Sequence, residues 1–200
     1  MGRYEDFLGL LDKRDQADDP AAFDKMIFDK YGETLTVMIT DSSNFTRRTK
    51  QYGIIHFLST MQKAYGEMGI VIQAHGGKVV KEWADDIFAV FPSSKAGLTC
   101  AMNMQKRLQE MNAGKPEEDT FTICVGLAKG EILFLEREIF GDAVNIASKL
   151  GEDLASSDDI LLSESVYEDV QREFPQLNYE QKHAKMSGVE FNYYLVICEA

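Results

Sequence analysis

The order of apolar runs along the chain predicts an α+β fold, a ferredoxin-like sheet packed on helices. Three observations carry that reading. Leu35–Thr40 (LTVMIT) is a β-branched run of strand length. Phe121, Ile123, Val125 and Leu127 alternate with other residues, which is the clearest strand pattern in the chain. Between the strands, apolar residues recur at helical spacing, as in Gly97, Ala101, Met104, Leu108 and Met111.

Residues 1–33 read as a helical N-terminal extension, with Phe7, Leu8 and Leu11, then Phe23, Met26 and Ile27, interrupted by the polar stretch Asp15–Pro20. Residues 34–200 read as one core domain that opens on the Leu35–Thr40 strand. Tyr52–Met68 follows as an amphipathic helix carrying Ile55, Phe57, Leu58, Met61 and Tyr65. A Gly76–Gly77 turn leads into a strand at Lys78–Trp83, a hairpin turn at Ala84–Asp86 and a second strand at Ile87–Phe91. Ser93–Met111 is the next helix, and Lys115–Asp119 a charged loop. After the alternating strand, Gly130 punctuates the chain before a further strand at Glu131–Leu135. Gly141–Leu150 reads as a short helix, Ile160–Ser163 as a strand, Glu164–Glu173 as a helix and Phe191–Ile197 as the closing strand.

Composition narrows the class of function. The 200 residues are 44% hydrophobic, enough for one real core. Asp plus Glu number 33 against 21 Lys plus Arg, a net charge of −12. Such a surface repels nucleic-acid backbones and anionic lipid, so neither nucleic acid nor membrane is expected as a partner. A small polyanionic substrate remains compatible if metal ions neutralise it locally. Cys100, Cys124 and Cys198 are odd in number and lack CxxC spacing, the pattern of buried free thiols in a reducing compartment. The opening MGRYEDFLGLLDKRD is too charged for a secretory signal, and the expected location is the cytoplasm.

Two local patterns are able to do chemistry. Asp41 ends the first apolar strand and is followed by the polar loop Ser42-Ser43-Asn44-Phe45-Thr46, while Asp85 sits in the next hairpin turn. If those strands are neighbours, the two carboxylates converge on one sheet edge and suit a pair of Mg²⁺ or Mn²⁺ ions, with the loop amides free for phosphate. Taken singly, each aspartate is as well explained as a turn or cap residue. Asn145 and Lys149 lie four apart in GDAVNIASK and share a helix face, an amide beside a cation. That pair is equally the solvated face of an ordinary helix.

Joint order and spacing lift both patterns. LTVMITDSSNFT, HGGKVVKEWADDIFAVF, FTICVGLAKGEIL, EIFGDAVNIASKL and DILLSESVYE together resemble the catalytic domain of class III adenylyl and guanylyl cyclases, over about Leu35 to Tyr167. The resemblance implies that residues 34–200 are the catalytic domain of a nucleotidyl cyclase, which makes a 3′,5′-cyclic nucleotide and pyrophosphate from a nucleoside triphosphate. It implies two divalent cations held by Asp41 and Asp85, with Asp86 as a neighbouring candidate. It places Lys81 and Glu138 at the base-reading positions, Asn145 on the ribose, and Lys149 where the family carries a transition-state arginine. It also implies a head-to-tail homodimer whose composite sites draw the aspartates from one protomer and the Asn–Lys pair from the other.

Two substrate readings follow. Lys81 with Glu138 suits adenine. Trp83, two residues after Lys81 and thus on its side of the strand, narrows the pocket toward a pyrimidine, as in the stand-alone bacterial pyrimidine cyclases of phage defence. The rival reading is a catalytically inactive homologue acting as a regulatory or binding module. Arg47 and Arg48 read as a solvated pair, and His56 as helix packing.

Overall fold

The computed structural model describes residues 2–186 and 188–197, so Cys198 lies outside the described residues. Helices α1 (Arg3–Arg14) and α2 (Pro20–Tyr31) precede strand β1 (Gly32–Ser42). Asp19 caps α2 by accepting the Ala22 N–H at 3.1 Å, and Pro20 sits at the first helical position, where its missing N–H costs nothing. Then come α3 (Phe45–Tyr52), α4 (Ile54–Ala74), the hairpin β2 (Lys78–Trp83) and β3 (Asp86–Phe91), and α5 (Ser94–Asn112). The second half holds β4 (Ile123–Phe134), β5 (Ile139–Phe140), α6 (Asp142–Ser148), a π-helical turn at Lys149–Leu154, β6 (Ile160–Ser163), α7 (Glu164–Val170), β7 (Asn178–Met186) and β8 (Val189–Ile197).

One sheet runs in the order β2-β3-β1-β4-β6-β8-β7, with β5 paired to β4 off that path. Among the described residues only β4 and β6 pair in parallel, through Val125↔Ile160 to Leu127↔Leu162. The central strand β1 is covered on both faces, which is why its sequence is a continuous apolar run rather than an alternation. Met38 packs with Ile87, Phe91 and Leu127 under α4 and α5. Val37 and Ile39 turn the other way, onto Ala143 and Ala147 of α6. By the same alternation Asp41 leaves the sheet on the α6 side.

Several sequence expectations are corrected here. β4 runs unbroken through Gly130, whose lack of a side chain instead admits α6: a Cβ there would lie 3.2 Å from Ala143 Cβ. The helix expected at Tyr52–Met68 is α4, which starts at Ile54 and runs on to Ala74, and the short helix α3 before it was not anticipated. The helix expected to end at Leu150 becomes a π-turn at Lys149. Strand β7 was not anticipated, because NYEQKHAKM is a polar sheet edge with no apolar alternation. Arg48 is no solvated residue: it is 5% exposed and donates to the Glu117 carbonyl and, at 3.0 Å, to Thr120 Oγ1. It thereby ties α3 to the 3-10 turn at Glu117–Asp119. His56 is half-buried on α4, and its Nε2 meets the Glu118 carbonyl at 2.9 Å. Cys100 and Cys124 are buried free thiols, both pushed up to about 12 mainly by burial. Among the described residues, no helix is long and apolar enough to cross a membrane.

The tightest packing lies beneath the π-turn. A Cβ on Gly126 of β4 would collide with the Ala147 carbonyl oxygen, meet Gly151 N at 2.5 Å and Leu150 Cβ at 2.9 Å. The first two are backbone atoms, and a Cβ is fixed by its backbone, so none of the three can swing away. Gly126→Ala is therefore expected to cost about 3 kcal/mol, read as a lower midpoint in urea with an unchanged slope. A midpoint equal to the parent's would show that the turn yields freely.

Candidate active site

Three groups of side chains stand out, each placed by a different part of the sheet. The first is acidic. Asp41 reaches the end of β1, and the β2–β3 turn brings Asp85 beside it, because β1 and β3 are hydrogen-bonded neighbours through Thr40↔Ile87. Ala84 takes a left-handed φ of 53° in that two-residue turn, which aims Asp85 back toward β1. Ser42, 4% exposed, donates its hydroxyl to Asp85 Oδ2 at 2.6 Å. Burial and the neighbouring Asp85 carboxylate push Asp41 up to about 7. Asp86 is pushed up to about 8 by burial, then by Glu152, Asp41 and Asp85, and its Oδ1 is buried without a hydrogen-bond partner. Cys124 lies behind this group, its Sγ 3.5 Å from the Asp41 carbonyl.

These carboxylates repel one another, and the cluster has the chemistry of a cation site: hard oxygen donors lacking a counter-charge. Among the described residues, no three His, Cys, Asp or Glu side chains converge on one metal position. A cation there completes its shell with backbone, water or substrate oxygens, the habit of Mg²⁺. The loop that follows is shaped for an anion. Asn44 holds a left-handed φ of 67°, and α3 starts directly after it, so the first amides of that helix open beside Asp41. Side chains in the loop are mostly engaged inward. Ser42 is spent on Asp85, Phe45 packs edge-on to Phe57 at 5.0 Å, and Ser43 is 7% exposed with its Oγ unpaired. Asn44 and Thr46 are exposed.

The second group reads as a donor–acceptor pair. Lys81 Nζ on β2 meets Glu138 Oε2 at 2.7 Å, with both side chains about one-third exposed. Lys81 also lies over the Phe88 ring, 5.1 Å from its centroid. Trp83 follows two residues later, opposite Asp86 in the ladder, and is 69% exposed. Strand alternation sets it on the Lys81 side of the hairpin.

The third group sits apart. Asn145 on α6 and Lys149 at the start of the π-turn open onto a cavity of about 550 Å³, lined also by Asp142, Ser148, Val189 and Phe191. Asp41, Asp85, Lys81 and Glu138 are not among its lining residues. The structure thus joins Asp41 with Asp85, and Lys81 with Glu138, while Asn145 and Lys149 line a cavity that none of those four enters.

The sequence model of the adenylate and guanylate cyclase catalytic domain matches residues 28–197. The chain belongs to this family. A putative adenylate cyclase 3 of Rhizobium meliloti is 29% identical over 49% of the chain, and a serine/threonine-protein kinase, pkn2, of Myxococcus xanthus is 30% identical over 67% of it. The aligned stretch makes up 16% of each of those two proteins. Among solved structures, an adenylate/guanylate cyclase/hydrolase from Silicibacter pomeroyi superposes with a TM-score of 0.73 at 22% identity, over 84% of this chain and 98% of that one. For a class III cyclase domain, the two residues that sequence reading underweighted are Asp86 and Glu152. Asp86 was legible as one of two adjacent acids. Glu152 was not, because only the π-turn carries it toward β1.

Proposed function

We propose that this cyclase domain converts a nucleoside triphosphate to a 3′,5′-cyclic nucleotide and pyrophosphate within a head-to-tail homodimer. The observation that carries the reading is the carboxylate pair Asp41–Asp85, charge-starved and set beside the anion-ready start of α3. In the reaction the 3′-oxygen attacks the α-phosphorus, the bond from that phosphorus to the oxygen bridging it to the β-phosphorus breaks, pyrophosphate leaves and the 3′-hydroxyl proton passes to solvent water. Two divalent cations, Mg²⁺ or Mn²⁺, would acidify that hydroxyl and neutralise the triphosphate. Asp41 and Asp85 would hold them, and Ser42 fixes the Asp85 rotamer through its hydrogen bond to Oδ2. Amides at the start of α3 bind phosphate oxygens. Asn145 orients the ribose, and Lys149 donates to the phosphoryl oxygens where charge grows. Its compact ammonium lacks the planar fork of an arginine, so it acts as a point charge.

Two bases fit different observations. The Lys81–Glu138 pair presents a donor beside an acceptor, the complement of the ring nitrogen and amino group of adenine. The indole of Trp83 on the same side favours a smaller pyrimidine ring, and with it a signalling role in phage defence.

The test is incubation of the purified protein with ATP, GTP, CTP and UTP separately, in Mn²⁺ and then Mg²⁺, with products read by mass spectrometry. One cyclic nucleotide is expected to form at least about tenfold faster than the others. Cyclic AMP would assign the pocket to Lys81 and Glu138, and a cyclic pyrimidine nucleotide to Trp83. No cyclic product from any of the four overturns the catalytic reading in favour of a regulatory homologue.

A further inference from the structure

The carboxylate of Glu138 stands on a turn with little support of its own. Strand β5 has two residues and two ladder pairs with β4, Leu133↔Phe140 and Phe134↔Ile139, too few to fix a register. The turn is tight, with Leu135 N–H bonded to the Glu138 carbonyl at 2.9 Å, Arg137 N–H to the Leu135 carbonyl at 2.8 Å, and Glu136 at a left-handed φ of 68°. What anchors it comes from the N-terminal helices. Leu135, three residues before Glu138, is 1% exposed in a cluster with Phe7, Ile27 and Tyr31. Phe140, two residues after Glu138, stacks on Phe7 with centroids 6.2 Å apart and an interplanar angle of 20°. Phe7 in turn meets the Tyr31 ring edge-on at 5.7 Å. The Tyr31 hydroxyl donates to Asp6 Oδ2 at 2.7 Å, so α1 and α2 are tied together at the same spot. Between the start of α1 and the turn lies a cavity of about 440 Å³, lined by Arg3, Tyr4, Leu135, Arg137 and Glu138 among others, which gives the turn room to move once its anchor is lost.

We propose that helix α1 is a specificity clamp: by gripping the β4–β5 hairpin on both sides of Glu138 it holds that carboxylate against Lys81, which makes Phe7 a positioning residue for base selection. The inference rests on the base-reading role given to Glu138 above. A small displacement of a recognition group is enough to erode selectivity, because a hydrogen bond to the base edge is lost steeply with distance.

The test uses the full chain and equilibrium binding of the 3′-deoxy forms of ATP, GTP, CTP and UTP, which lack the attacking oxygen and do not turn over. In Phe7→Ala, the ratio of Kd values between the worst and best base is expected to shrink about tenfold. Affinity for Mn²⁺ alone, read by electron paramagnetic resonance without nucleotide, is expected to change less than about twofold, since Asp41 and Asp85 lie on other strands. Phe7→Leu should restore at least half of the lost discrimination, and hydrogen exchange at residues 135–140 should quicken in Phe7→Ala. Phe140→Ala, at a side chain already 42% exposed, gives the same reading if Phe7→Ala folds poorly. An unchanged Kd ratio in a variant whose 135–140 segment exchanges faster overturns the clamp. So does a parallel loss of Mn²⁺ affinity, which would mark general loosening. Glu138→Gln separates the layers: if it leaves the Kd ratio intact, the base-reading role itself fails, whatever Phe7 does.

Discussion

Asp41→Asn is expected to abolish cyclase turnover, by at least about 10³-fold, while raising the melting temperature of the metal-free protein. The two effects have one cause. Asp41 is raised to about 7 by burial and then the Asp85 charge, and Asp86 to about 8 by burial and then the charges of Glu152, Asp41 and Asp85. Between pH 4 and pH 8 the folded, metal-free chain therefore keeps protons that the unfolded chain has released. Its stability falls as pH rises through that window and levels off above it. An uncharged isostere at position 41 removes that penalty, about 1–2 kcal/mol once screening of a half-buried group is allowed for, or roughly 2–8 °C at pH 8. At pH 5, where Asp41 is already largely protonated, the variant and the parent should melt close together. The wild-type protein should gain more stability from Mn²⁺ at pH 8 than at pH 5, since the ion competes with those protons, and the variant should gain little at either. Scanning calorimetry at the two pH values, with and without Mn²⁺, checks all of this. A variant that still cyclises, or that melts lower than the parent at pH 8 without metal, would remove Asp41 from the cation site.

Much of this was legible in the sequence, and what was not has physical reasons. β1 was readable because burial on both faces forces an uninterrupted apolar run, and Asp41 stood out as the charge ending it. The Lys81–Glu138 contact spans 57 positions, so no local pattern predicts it, and the resemblance to cyclases alone put both at one base. β7 was invisible because an edge strand needs only its backbone to pair, and β8 supplies that. The π-turn was missed for a related reason. KLGEDL has no capping or breaking signal, and the turn exists because Gly126 and Gly151 let the backbone close against β1 and β4. Arg48 shows the converse error. Next to Arg47 it looks like surface charge, yet the Glu117 carbonyl gives its guanidinium a partner worth burying it for.

The second large effect is expected from mixing two dead variants. In the proposed mechanism Asp85→Ala loses a cation ligand and Asn145→Ala loses the ribose contact, and each alone should be at least about 10²-fold slower than the parent. Neither aspartate lines the cavity onto which Asn145 and Lys149 open, and the proposed head-to-tail dimer draws the two pairs from different protomers. In a head-to-tail dimer of the two variants, one site takes Asp41 and Asp85 from the Asn145→Ala protomer and Asn145 and Lys149 from the Asp85→Ala protomer. That site is complete, while the other carries both lesions. Random exchange makes half of the dimers mixed, so the equimolar mixture should recover about a quarter of parental activity. The control is co-purification of two differently tagged variants, which reports that protomers exchanged. Recovery near that level establishes that catalysis is a property of the pair, and that any contact which separates protomers switches the enzyme off. If the tags co-purify and the mixture stays as slow as its parents, each protomer must complete its own site, and a rearrangement bringing α6 to the β2–β3 turn would be required.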